Sequence, residues 1–177
     1  MKRTFSPWVG SNYRNAGNIL GCKVLILGES HYGPPGEEHA NVTIDIVEKY
    51  AKKRGTPFFT TLTKSVLNLD SSLELDDESR LNFWGSIAFC NYIQRFVGED
   101  ARIAPTKEHW EAGELPFKQT VKELEPDLII IFGARLGEWI PTLDEKYSLC
   151  FVNHPASGYS YDRWNPLIQD SLKKLVK

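Results

Sequence analysis

Four consecutive side chains able to exchange protons or hydrogen bonds, Glu29, Ser30, His31 and Tyr32, follow directly on Gly28 and the apolar run Val24 to Leu27. A carboxylate close to an imidazole suits general acid–base work. A serine just past a strand also suggests the hydrolase elbow GxSxG. Here the pattern is Gly28-Glu29-Ser30-His31-Tyr32. The second glycine is missing and Tyr32 would crowd so tight a turn. Ser30 can still be combined with His154 and Asp162 as a nucleophile, base and orienting acid. The plainer role for Ser30 is to cap the next turn of a loop.

The other histidines say less. A metal site needs converging ligands at short spacing. His31 and His39 are separated by two prolines, and His109 lies in a polar stretch that reads as exposed. No metal is expected. His154, in "FVNHPASGYS", stands at the end of an apolar run and just before Pro155. The proline disfavours helical geometry there and holds His154 extended. On its own it reads as a loop histidine bonded to the backbone. Aromatic residues at 12% include Phe58, Tyr159, Tyr161 and Trp164 in or near element starts. Such rings can stack on bases or fill gaps in nucleic acid, although core or rim packing is their commoner use.

Four short runs must hold these groups in place. Val24–Leu27, Ile87–Phe89 (followed by Cys90), Leu128–Phe132 and Leu149–Val152 are apolar on consecutive residues. That pattern predicts strands covered on both faces. Helices are expected over Ala40–Arg54, Phe58–Leu69, Pro116–Leu124, Ala134–Ile140 and Asp162–Val176, with Lys173, Lys174 and Lys177 suiting the last C-terminus. Ser71 to Ser79 reads as an acidic surface loop, with Asp76 or Asp77 capping a following helix. Strands alternating with helices predict a three-layer α/β domain spanning 1–177, with a central, mostly parallel four-stranded sheet and helices on both faces. Ligands in such sheets bind beyond the carboxyl ends of the strands. Glu29-Ser30-His31, Asn91, Arg135 and Asn153-His154 all stand at such ends. One rim would therefore gather them.

Composition limits the possibilities. The 177 residues carry 21 basic and 23 acidic side chains, a formal net charge of -2. Bulk charge therefore does not announce a nucleic-acid binder, though a local basic face remains compatible with it. Cys22, Cys90 and Cys150 form no CxxC pair, which argues against a disulfide framework or a cysteine-rich zinc site. The N-terminus lacks a signal-peptide apolar stretch, and no run is long enough to span a bilayer. A cytoplasmic, monomeric chain without membrane association is expected.

Taken together, the motifs resemble the uracil-DNA glycosylase superfamily from about Lys23 onward. "LILGESHYG" resembles its first motif, a strand followed by Gly-Glu or Gly-Gln. "GTPFFTTLTKSVL" resembles the Gly-x-Pro-Phe segment of the bacterial and archaeal branch, and "IAFCNYIQ" the strand that ends in an asparagine. "APTKEHWEAGELPFKQTVKELEPDLIIIFGARLGEWI" resembles that branch's Pro-Thr-x-Glu, Pro-Phe and Leu-Gly stretch, and "NHPASGYS" the closing His-Pro motif.

The resemblance implies a uracil-DNA glycosylase-like fold and hydrolysis of an N-glycosidic bond in DNA carrying uracil or a related damaged base. It implies catalytic roles for Glu29, Ser30 and His154, and base binding by Gly28, His31, Tyr32, Phe58 and Asn91. Tyr159, Tyr161, Arg163 and Trp164 would meet the duplex. Two departures stand out. Ser30 occupies a position where members carry aspartate, asparagine or, in one branch, alanine. His31 stands where proline usually follows, and could donate to a phosphate or a base. They motivate an alternative, a glycosylase-fold protein that binds nucleic acid or a nucleobase without cleaving it. A serine hydrolase using Ser30 and His154 is a third. The three cysteines lack the spacing of the iron–sulfur cluster found in a related branch. No cofactor is expected.

Overall fold

The computed structural model describes residues 3–100 and 103–175. Five strands form one sheet: β1 (Trp8–Val9), β2 (Val24–Gly28), β3 (Ile87–Asn91), β4 (Leu128–Phe132) and β5 (Ser148–Val152). Their order across the sheet is β1-β3-β2-β4-β5. The four expected strands are all present and mutually parallel, with Val24 beside both Ile87 and Leu128. The expectation of four strands is corrected by β1, a two-residue antiparallel addition to the β3 edge. Two residues give no readable alternation, so β1 carried no pattern to find.

β2, β3 and β4 are buried at every position. Alternate residues leave the sheet on opposite sides. Val24 and Ile26 join one core cluster, whereas Leu25 and Leu27 join the other. Helices cover both. α1 (Val42–Ile46) runs into a single π-type turn (Val47–Ala51), and with α2 (Pro57–Val66), α3 (Asp77–Ser86) and α6 (Tyr161–Lys173) it lies on the first side. α4 (Lys107–Leu124) and the short α5 (Ala134–Gly137) lie on the second.

Several helix bounds differ from expectation, each for a local reason. The single helix foreseen over Ala40–Arg54 is interrupted after Ile46 by the π-type turn. α2 stops at Val66 because Asn68 adopts a left-handed φ of 58°. α4 starts nine residues before Pro116. Thr106 and His109 form a capping box, and the helix tolerates Pro116 inside it. His109 is therefore a half-buried cap partner and not a free surface histidine. α5 ends at Gly137 instead of Ile140, with Pro141 close behind. Asp76 caps α3, as its sequence suggested, by accepting from the Ser79 N–H at 2.8 Å. α6 ends at Lys173 and not at Val176: Lys174 and Leu175 already form a turn, and Val176 and Lys177 lie outside the described residues.

No helix among the described residues is long and apolar enough to cross a membrane. Cys22, Cys90 and Cys150 are buried free thiols.

Candidate active site

β2 sits at the centre of the parallel strands, with β3 on one side and β4 on the other. The connection leaving β2 leads to β3, and the connection leaving β4 leads the other way, to β5. Where two connections diverge, their strand ends leave a crevice. Glu29 follows β2 and Arg135 follows β4, and they meet across that gap. Arg135 Nε donates to Glu29 Oε2 at 3.1 Å, and Nη2 donates to Oε1. A planar fork against a carboxylate fixes both groups in orientation. The Glu29 side chain is largely covered, while that of Arg135 is half exposed. Arg135 also lies over the Trp110 ring at 5.7 Å, and Trp110 stacks on Trp139. Gly133 makes the turn that delivers Arg135, at a φ of 142° that favours glycine.

Beside the ion pair opens a cavity of about 400 Å³. Glu29, Ser30, His31, Tyr32, Phe58, Asn91 and His154 line it, together with Ile46, Tyr50, Phe59, Phe89 and Ala156. All three residues read as catalytic, and four of the five read as base-binding, therefore share one cleft. Gly28, the fifth, is not among the lining residues but lies against Asn91, which is. A Cβ built there would sit 2.2 Å from Asn91 Oδ1. The glycine thus allows the Asn91 amide to lie over β2. Asn91 is 6% exposed, and no described residue bonds its side-chain amide. A buried amide of that kind has unused donors and an unused acceptor turned to the cavity.

Backbone bonds continue past the strand ends and hold the rim. The Tyr92 N–H donates to Gly28 C=O at 2.9 Å and the Ile93 N–H to Glu29 C=O at 3.0 Å. His31 pairs with Phe96 as an isolated bridge. Glu29 and His31 are thus set on extensions of the sheet, and Asn91 on β3 itself.

His154 packs against Phe58, with ring centroids 5.2 Å apart and planes 35° from each other. Its Nδ1 accepts the Ala156 N–H at 3.1 Å. A neutral imidazole accepting at Nδ1 carries its proton on Nε2. Burial lowers the His154 pKa from its ordinary value, Glu29 acts in the opposite sense, and Arg135 adds to the lowering. The neutral Nε2–H tautomer is therefore the form at neutral pH. No His154 bond to Ser30 or Asp162 exists, and Asp162 does not line the cavity. The serine triad is not assembled. Ser30 Oγ is instead buried with no hydrogen-bond partner.

His31, expected to donate to a phosphate or a base, lies buried in the wall of the cleft. It is 5% exposed, its Nε2 is 2.8 Å from Thr43 Oγ1, and its ring meets Phe5 edge-on at 5.3 Å. Burial pushes its pKa down to about 4. It is a neutral wall residue with only Nδ1 uncommitted.

The four residues assigned to the duplex divide. Tyr159 turns inward: its ring stacks on Phe132, its hydroxyl is 2.5 Å from Ser65 Oγ, and burial raises its pKa to about 12. It is a packing residue, held away from any duplex. Tyr161 meets Tyr159 edge-on and lies under Lys64. Arg163 is exposed and covers the Trp164 ring at 4.5 Å, and Trp164 is partly buried against the core. None of the four lines the cavity.

Sequence reasoning placed Arg135 at a strand end but gave it no role. An arginine two residues past the glycine that ends a strand was the available signal. Thr43 and Tyr50 had no such signal, because they reach the site from the α1 segment through its packing. Among the described residues no group of three or more His, Cys, Asp or Glu gathers as a metal site. The chain matches no protein-family model, and a search of curated proteins returns no match.

Proposed function

We propose that this chain is a uracil-DNA glycosylase-like enzyme that hydrolyses the N-glycosidic bond of uracil or a related damaged base in DNA. One observation carries the reading. A free amide, a flat ring, a neutral imidazole donor and a carboxylate open onto one cavity at the ends of parallel strands. A cavity of about 400 Å³ has room for a planar heterocycle.

The base, flipped from its stack at a cost of a few kcal/mol, lies against Phe58. The Asn91 amide donates to and accepts from its hydrogen-bonding edge. The C1′–N bond breaks with its electron pair passing to the base. His154 Nε2–H then donates to the base oxygen on which negative charge develops. Glu29 faces the cationic sugar and accepts a proton from the water whose oxygen bonds to C1′. Arg135 holds that carboxylate in orientation. Ser30 Oγ, unpartnered and buried, supplies a further hydrogen bond to water or substrate.

A second reading, binding of a nucleobase without cleavage, is favoured by the same clamp. Arg135 engages both Glu29 oxygens, which leaves the carboxylate fewer lone pairs with which to orient a water. One screen separates the two. Purified protein is incubated with labelled oligonucleotides carrying uracil, hypoxanthine or mismatches and then treated with alkali. Strand breaks are expected, falling by about 10²–10³-fold in His154→Ala, the scale of losing one such donor, and falling also in Glu29→Gln. Binding without breaks, unchanged in Glu29→Gln, rejects the enzyme in favour of the binding protein. Neither breaks nor binding rejects both.

A further inference from the structure

A second hollow, of about 400 Å³, lies on a different face of α2. Phe58 and Phe59 line the candidate active site, whereas Pro57, Thr60 and Lys64 line this one. Its floor is Arg80, on α3, only 2% exposed. The Arg80 Nε is buried with no partner at all. Its remaining bonds are long: 3.4 Å to Thr60 Oγ1 from each terminal nitrogen and 3.5 Å to the Ala51 carbonyl. Lys64 is also buried, at 7% exposure, and its Nζ donates only to the Ser71 carbonyl at 3.1 Å while covering the Tyr161 ring.

Among the described residues neither buried cation forms an ion pair. Acids lie close by, Glu74 in the lining of the hollow itself and Asp77 near enough to act on Arg80 through space, but their bonds go to other partners. Glu74 and Asp77 both bond Arg54, and Asp70 bonds the Ser72 hydroxyl and N–H. A buried charge without a counter-charge is costly, and a guanidinium cannot shed its proton to avoid that cost.

We propose that this hollow binds a phosphate-type oxyanion, with Arg80 as its floor, Lys64 as a wall and Thr60 as a hydroxyl donor. The anion supplies a bonded counter-charge, which Asp77 and Asp70 give only at a distance, and takes the fork of the guanidinium. The site shares no lining residue with the cleft around His154, and it stands whether or not that cleft cleaves a base.

The test uses the full chain and inorganic phosphate at low millimolar concentration, with ionic strength held constant by chloride. Phosphate is expected to raise the thermal midpoint beyond chloride alone and to move the Arg80 Nε–Hε resonance saturably. The midpoint response should vanish in Arg80→Gln and persist in Arg14→Gln, whose residue lies away from the hollow. If Arg80→Gln fails to fold, the resonance in the unaltered protein and the response of Lys64→Gln decide instead. Dimethyl phosphate identifies the source. A response to it points to a nucleic-acid backbone, and a response to inorganic phosphate alone points to a free phosphate or monoester. Phosphate acting no differently from chloride, or moving other resonances and not that of Arg80, overturns the proposal.

Discussion

Replacing His31 by glutamine should remove an acid sensitivity that the fold builds into the cleft wall. The imidazole is buried against Phe5 and Thr43, and its pKa falls from an ordinary 6.5 to about 4. The unfolded chain therefore binds a proton that the folded chain refuses. Stability from this group is fully present above the unfolded pKa and is lost as pH falls toward the folded one. Integrating that proton uptake gives about 2 kcal/mol lost between about pH 7.5 and about pH 5. With a urea dependence of about 2 kcal/mol per molar, the unfolding midpoint should drop by about 1 M. Exposed carboxylates titrate in the same range, so the quantity to measure is a double difference. Urea unfolding is followed at both pH values in the original chain and in His31→Gln, whose amide can still reach Thr43. The original chain should lose about 2 kcal/mol more than the variant. Equal losses in the two would refute the burial argument and the wall role with it.

Further outcomes follow from packing at the strand ends. Gly28→Ala places a Cβ where Asn91 Oδ1 now lies, 2.2 Å away. Oligonucleotide binding or cleavage should fall sharply while far-ultraviolet circular dichroism stays unchanged, and full retention of function would remove Asn91 from the site. In the centre of β4, Ile130→Ala should cost about 3 kcal/mol in chemical unfolding, because Ile130 is wholly buried. Ile19→Ala, at a half-exposed position, should change stability by less than about 0.5 kcal/mol.

The sheet was readable because three of its strands are apolar on both faces, and Leu128–Phe132 repeats isoleucine without a polar break. The cleft was readable for the same reason. Once the strands are parallel, the residues after each one share a rim, and Glu29, Asn91 and His154 meet there. What escaped was set by contacts across the fold. β1 is too short to carry a period. Pro116 looks like a helix start, and only the Thr106–His109 cap shows that the helix had already begun. Tyr159 reads as an exposed wedge until Ser65 and Phe132 are seen to hold it inward. Arg80 gave no warning at all, because its isolation is a property of what surrounds it. Arg135 lay in plain view, but its partner is 106 residues away.

The register of the parallel strands has a consequence for the order of assembly. β2 leaves the ribosome before both strands that flank it, which begin at Ile87 and Leu128. Until both arrive, an apolar ribbon stays unsheltered and Glu29 has no guanidinium to grip. His154 comes later still, after β5. A chain cut short before Leu128 leaves one edge of β2 bare, and one cut short before that histidine holds the Glu29–Arg135 clamp and Asn91 but lacks the imidazole wall of the cleft.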